Sequence, residues 1–309
     1  MAKNPTFMCI GPEKTGTSWL YENLKAHPQV YLPPIKEIRY FWEKVFLPKQ
    51  DIKKRLTNPH WHNALYRNHL KKRLKIYQAS QEKLSQREPD LIDELIWDFK
   101  YLLFPHDDDW YFSLFTDSQE KITGDITPLY YQLPESEIKY IKDLLPDLKI
   151  IILLRNPIDR AWSKAKMNLC QHQGRKLKDI SQEEFYNNFS KEYEQLSSYM
   201  SLIKQWKKYF SDKNIYIGYY DKLVANPSLL FDEICGFLQI EYDLLPSDRR
   251  NKLSARVNVG VKINIPNEYY IHLSDMYSQC IQELAAEEKH EPYPKKWLEM
   301  VENMSFASK

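Results

Sequence analysis

The chain has 309 residues, a net charge of +2, 43% hydrophobic side chains and 28% charged ones. That is room for one large α/β domain or two small ones of ordinary globular composition, and the near-neutral balance argues against a nucleic-acid binder. The four cysteines form no CxxC pair and no His/Cys ligand spacing, which argues against a zinc scaffold and fits reduced thiols in a cytoplasm.

The first apolar run, residues 7–10, is too short for the core of a signal peptide, and no stretch approaches a membrane span, so a cytoplasmic location is expected. Residues 6–10 form a candidate strand and 11–16 a loop. Residues 17–27 carry helical periodicity, with Trp19, Leu20, Asn23 and Leu24 on one face and Pro28 as the stop. Residues 30–32 suit a second short strand, closed by Pro33 and Pro34. From about 45 to 115 the character changes. Lys53, Lys54, Arg55, Lys71, Lys72, Arg73 and Lys75 make this stretch basic early; Asp90, Asp93, Glu94 and 107–109 make it acidic late. Leu65, Leu70, Leu74 and Tyr77 recur at near-helical spacing, which predicts a helical insertion whose charge runs lie on solvated faces.

The run Lys149–Leu154 is continuously apolar between charged flanks, as a strand buried on both faces should be. Arg155, Asn156 and Pro157 end it. Helices are expected over 157–169, over much of 183–210 and over Pro227–Leu238, with a strand at Ile215–Tyr219. Strands alternating with helices predict an α/β fold: a three-layer sandwich around a mainly parallel sheet. The expectation is a single domain over 1–309, with the insertion at about 45–115.

Gly11-Pro12-Glu13-Lys14-Thr15-Gly16-Thr17-Ser18 sits between the first strand and the first helix, in a chain with only 7 glycines. Backbone N–H groups at such a turn converge, and the helix N-terminus adds partial positive charge, so the turn is a P-loop-like anion cradle. Lys14 adds a full charge, and Thr17 and Ser18 add hydroxyls. The loop departs from that of the P-loop NTPases, where Lys directly follows the last Gly. The buried strand ends in Arg155, not in the Asp that helps hold Mg²⁺ in those enzymes. A cation there suits a second phosphate better than a metal. A P-loop small-molecule kinase and a non-catalytic nucleotide-binding protein are the alternatives.

The run Lys14-Thr15-Gly16-Thr17-Ser18-Trp19-Leu20 resembles the 5′-phosphosulfate loop of sulfotransferases that use 3′-phosphoadenosine 5′-phosphosulfate (PAPS), whose form is Lys-x-Gly-Thr-[Thr/Ser]-x-Leu. Arg155 followed eight positions later by Ser163 is similar to the family's 3′-phosphate motif, again at a strand end and its following helix. Lys36-Glu37-Ile38-Arg39-Tyr40-Phe41 and Gly124-Asp125-Ile126-Thr127-Pro128-Leu129-Tyr130 resemble segments of the heparan-type and bacterial branch, although Ile38 stands where that branch has Pro. Tyr199, seven residues before Trp206, is similar to an adenine-side tyrosine. Residues 258–266 resemble a late loop over the nucleotide but lack its Arg-Lys-Gly triplet, which leaves open whether Arg256 or Lys262 acts there.

The resemblance implies PAPS as donor, adenosine 3′,5′-bisphosphate as product, no metal, and a hydroxyl-bearing acceptor (a glycan, a lipid, or a small alcohol or phenol). Lys14 would stabilise charge on the leaving oxygen. Glu37, just past the second strand, is the candidate general base, against the plainer alternative of a surface Glu. Asp125 is the reserve, or else a turn residue that fixes the Thr127–Pro128 corner. His60 and His62 are candidates to line the acceptor pocket. Trp19 either packs in the core or stacks on adenine, and stacking is the expectation.

Overall fold

The computed structural model describes residues 4–47, 52–57, 61–79, 89–116, 121–255, 257 and 263–307. Its strands are β1 (Phe7–Gly11), β2 (Val30–Tyr31), β3 (Ile122–Ile126), β4 (Lys149–Leu154) and β5 (Ile215–Tyr219). They form one five-stranded sheet in the order β2-β3-β1-β4-β5, and every pairing is parallel. The expected α/β sandwich is therefore the observed one.

Side-chain alternation builds the layers. On β1, Met8 and Ile10 enter one buried cluster while Phe7 and Cys9 enter the other. On β4, Ile150, Ile152 and Leu154 join the first cluster, and Ile151 and Leu153 the second. Helices Thr17–Lys25 and Pro227–Leu238 cover the second face through Trp19, Leu20, Leu24, Leu230, Phe231 and Ile234. Helices Pro157–Lys166, Tyr199–Lys207 and Asn267–Glu287 cover the first. No described helix is long and apolar enough to cross a membrane.

Three elements differ from expectation. The strand β3 interrupts its apolar pattern with Thr123, Gly124 and Asp125, so periodicity does not reveal it. Gly124 is there because the Phe7 ring of β1 occupies the space of a side chain: a Cβ would lie 2.1 Å from its Cζ. The helical stretch at 183–210 is two helices, Gln182–Gln195 and Tyr199–Lys207. Ser198 separates them by accepting from the Ser201 N–H at 3.1 Å, an N-cap. The helix after β4 passes from α to a π-turn at Met167–Gln171.

The insertion is helical as expected, with Ile52–Thr57, Trp61–Ala79, Pro89–Leu103 and Asp108–Ser113. Its charges are not all solvated. Arg73 is 8% exposed. It bonds Asp98 and, at 2.6 Å, Glu94, while His69 reaches Asp98 at 2.8 Å. Burial raises the Asp98 pKa, but the bonds from His69, Tyr77 and Arg73 outweigh it and hold the carboxyl below its ordinary value. The basic and acidic halves pair with each other across the two long helices.

Gly11 ends β1 at φ +95°, where a Cβ would lie 2.3 Å from the Pro128 carbonyl oxygen. Both the left-handed backbone and the close approach require glycine. Gly11→Ala is expected to cost at least about 1–3 kcal/mol, read as a lower urea midpoint with an unchanged slope.

Candidate active site

In a parallel sheet all carboxyl ends lie on one edge, and β1 lies where the chain's path turns from β2 and β3 to β4 and β5. Such a switch point is where open α/β sheets bind ligands. The phosphate loop follows β1, Asp125 and Thr127 end β3, Arg155 ends β4, and Tyr220 follows β5.

The loop is held open by its backbone. Lys14 adopts φ 69° and Gly16 φ 101°. The Thr15 hydroxyl donates to the Pro12 carbonyl at 2.7 Å and is 1% exposed, so it braces the loop. No side chain caps the helix at Thr17–Lys25, which leaves its first N–H groups for a ligand. Thr17 is buried and Ser18 half-buried in that first turn.

Arg155 Nη1 donates to the Lys14 carbonyl at 3.2 Å. Its guanidinium carbon lies 4.4 Å from the centre of the Tyr220 ring. Its Nε is buried with no partner among the described residues. The Tyr199 hydroxyl donates to the Arg155 carbonyl at 2.8 Å. Ser163 is half-buried on the helix Pro157–Lys166. Arg155 and the phosphate loop, distant in sequence, therefore meet, and the helix of Ser163 starts beside them.

The electrostatics are lopsided. Burial lowers the Lys14 pKa, and Lys164, Arg155 and Lys36 lower it further, against one supporting carboxylate, Glu13. Lys166 is likewise lowered by burial and by Arg155. Like charges gathered this closely favour an anion among them. Among the described residues, no group of three or more His, Cys, Asp or Glu is placed to hold a metal ion.

Glu37 follows β2 at φ 69°. Its N–H donates to the Ile126 carbonyl at 3.2 Å, which pins it beside the end of β3. Its carboxylate pairs with Lys36 at 2.9 Å with 26% of the side chain exposed, so it is both held and reachable. Asp125 is 1% exposed. It accepts from Thr127, Tyr130 and Tyr111 at 2.7, 2.8 and 3.1 Å. These bonds enclose it at the Thr127–Pro128 corner.

Trp19 lies in the apolar cluster under the second face of the sheet. The ring is 3% exposed and meets Phe231 edge-on at 6.0 Å. Its N–H donates to the Leu253 carbonyl at 2.7 Å. Among the described residues the ring packs as a core side chain does. Tyr199, at 1% exposure, is equally enclosed and acts on the Arg155 backbone. Arg256, Lys262 and His60 lie outside the described residues. His62 lies on the helix Trp61–Ala79.

Sequence reasoning missed Tyr220, Lys164 and Glu13. The available signals were position: Tyr220 directly follows a strand, Lys164 follows Ser163, and Glu13 precedes Lys14.

Burial pushes the Asp125 pKa up to about 6 from 3.8, with Glu37 adding to the rise and the three hydroxyls opposing it. Between those values the folded chain keeps a proton that the unfolded chain has lost, so this group's contribution to stability falls as pH rises through that window. Asp125→Asn should therefore gain on the wild type between about pH 4 and pH 6, as measured by urea titration at several pH values.

A family profile described as the sulfotransferase family matches residues 5–244. No curated protein sequence matches at a significant level. Among solved structures, a sulfotransferase from Alicyclobacillus acidocaldarius is similar at 21% identity and TM-score 0.61, covering 92% of this chain and 95% of its own. The sulfotransferase domain from the curacin biosynthetic pathway is similar at 14% identity and TM-score 0.51, covering 84% and 82%. These two likenesses speak to the fold, whereas the profile spans most of the chain, strands β1 to β5 and both phosphate motifs included; the chain belongs to the sulfotransferase family.

Proposed function

We propose that this chain transfers a sulfuryl group from PAPS to an acceptor hydroxyl. The observation that carries the proposal is the crowd of Lys14, Lys36, Arg155 and Lys164 at an uncapped helix N-terminus. A donor with phosphates at both ends supplies the charge that the crowd lacks. The loop Lys14–Ser18 would hold its 5′ end, and Arg155 with Ser163 its 3′-phosphate. The orphaned Arg155 Nε suits that contact. Tyr220 would keep the guanidinium in place from the other side.

When bound, PAPS supplies an activated sulfuryl group on a phosphate leaving group. Lys14 would set its ammonium toward the oxygen that gains the electron pair as the sulfur–oxygen bond breaks. Glu37 accepts the proton of the acceptor hydroxyl as the new oxygen–sulfur bond forms. The helix Tyr40–Phe46 starts just after Glu37, and Tyr111 bonds Asp125. The Tyr111 bond ties the insertion at about 45–115 to the corner beside Glu37, which supports a role for it in acceptor recognition within one sulfotransferase domain. The cysteines described as free are all buried, which fits a cytoplasmic setting.

Calorimetry with adenosine 3′,5′-bisphosphate in EDTA tests the donor site. Tight binding is expected, weakened in Arg155→Ala by about 1.5–3 kcal/mol. Tighter binding of ATP, seen only with Mg²⁺, would overturn the proposal in favour of a kinase.

Glu37→Gln keeps the size of the side chain and removes its basicity. Turnover should fall by roughly 10²–10⁴, measured as labelled-sulfate transfer to a panel of glycans, lipids and phenols. Affinity for the bisphosphate should stay unchanged. Nearly full turnover in the variant would remove Glu37 from the base role.

A further inference from the structure

Glu13 and Lys14 are consecutive in the phosphate loop. Lys164 and Met167 stand one helical turn apart, just past Ser163. The Glu13 carboxylate pairs with the Lys164 ammonium, and the Lys14 Nζ lies 3.7 Å from the Met167 sulfur. Two neighbouring loop side chains are thus tied to two helix side chains at i and i+3, the spacing that faces one way on a helix.

The ion pair is sheltered, with 12% of the Lys164 side chain exposed and 20% of Glu13. Salt screens such a pair less than a surface pair. It also joins the two segments that the bisphosphate would bridge, the loop after β1 and the helix after β4. The Lys14 amine itself has a thioether as its side-chain contact, a weak acceptor that does not compete with an oxyanion.

We propose that Glu13 and Lys164 are positioning residues for Lys14, and that their ion pair fastens the phosphate loop to the helix of Ser163 and aims the Lys14 ammonium at the leaving oxygen. This rests on the sulfotransferase function proposed above. Lys164 contributes twice. It anchors the loop through Glu13, and as a nearby cation it sets the field in which Lys14 holds its proton. The charges that act on Lys14 are Glu13, which favours its protonation, and Lys164, Arg155 and Lys36, which oppose it on top of burial. Removing one partner of the pair therefore pushes Lys14 in the opposite sense to removing the other.

Calorimetric titration of adenosine 3′,5′-bisphosphate from pH 7 to pH 10.5 tests this without an acceptor. Wild-type affinity should fall along an alkaline limb as Lys14 deprotonates, and Lys14→Met should lack that limb. Lys164→Met should move the limb to higher pH and Glu13→Gln to lower pH, each by roughly 0.5–1 unit. Both single variants should weaken binding at pH 7 by about 3–10-fold, with the double variant no worse than either single one. Thermal unfolding is followed alongside, and Lys164→Gln replaces Lys164→Met if the fold is lost. Shifts in the same direction, or a limb that neither variant moves, overturn the positioning role while leaving the bisphosphate site intact. A wild type that does not bind the bisphosphate at all overturns the sulfotransferase proposal, and this one with it.

Discussion

A parallel sheet covered on both faces has only its ends to offer. The strands β1 and β4 send alternate side chains into two apolar clusters, and every core residue of β1 is buried. Polar chemistry is thereby pushed to the carboxyl edge, where all the strands finish together. Arg155, Asp125, Tyr220 and the phosphate loop meet there although more than 200 residues separate the first of them from the last. The close approach of Gly11 to Pro128 joins the loop to the corner after β3, so the loop and the segment beside Glu37 share one support.

The energetic cost of that edge is electrostatic. Lysines at partial burial repel one another and lose solvation, and the chain tolerates this with few carboxylates nearby. Asp125 is a second such cost, a carboxyl enclosed among hydroxyls. Groups held in unfavourable protonation environments cluster where ligands bind. The two differ in kind. An anion would relieve the lysine crowd, whereas Asp125 is satisfied internally by three hydroxyls.

Much of the architecture was legible in the sequence. The runs at 7–10 and Lys149–Leu154 are apolar because both faces of those strands are buried, and Ile215–Tyr219 stays largely apolar although Tyr216 and Ile217 of this edge strand are half-buried. The phosphate loop was legible because only a few residue types build an anion turn. The strand β3 was hidden, because Gly124 yields its side-chain space to Phe7 and Asp125 accepts from the hydroxyls of Tyr111, Thr127 and Tyr130. The packing of Trp19 was hidden for a related reason: its offset from Lys14 does not reveal that the ring meets Phe231. The Arg73–Asp98 pairing escaped notice because charge runs look solvated until their counterions are placed in space.

The same connectivity sets an order of events during synthesis. Arg73 and Asp98 lie 25 residues apart, while the bond from Thr6 to Thr123 closes a separation of 117. Loop closure over the shorter span is easier, and contacts of low sequence separation form first. The insertion can gather its helices while β1 still lacks both neighbours, since β3 and β4 leave the ribosome more than 100 residues after it. Of the five strands, the one most completely buried in the native protein is thus the one that waits longest for its neighbours, and it is the strand of the nascent chain with most to gain from a chaperone.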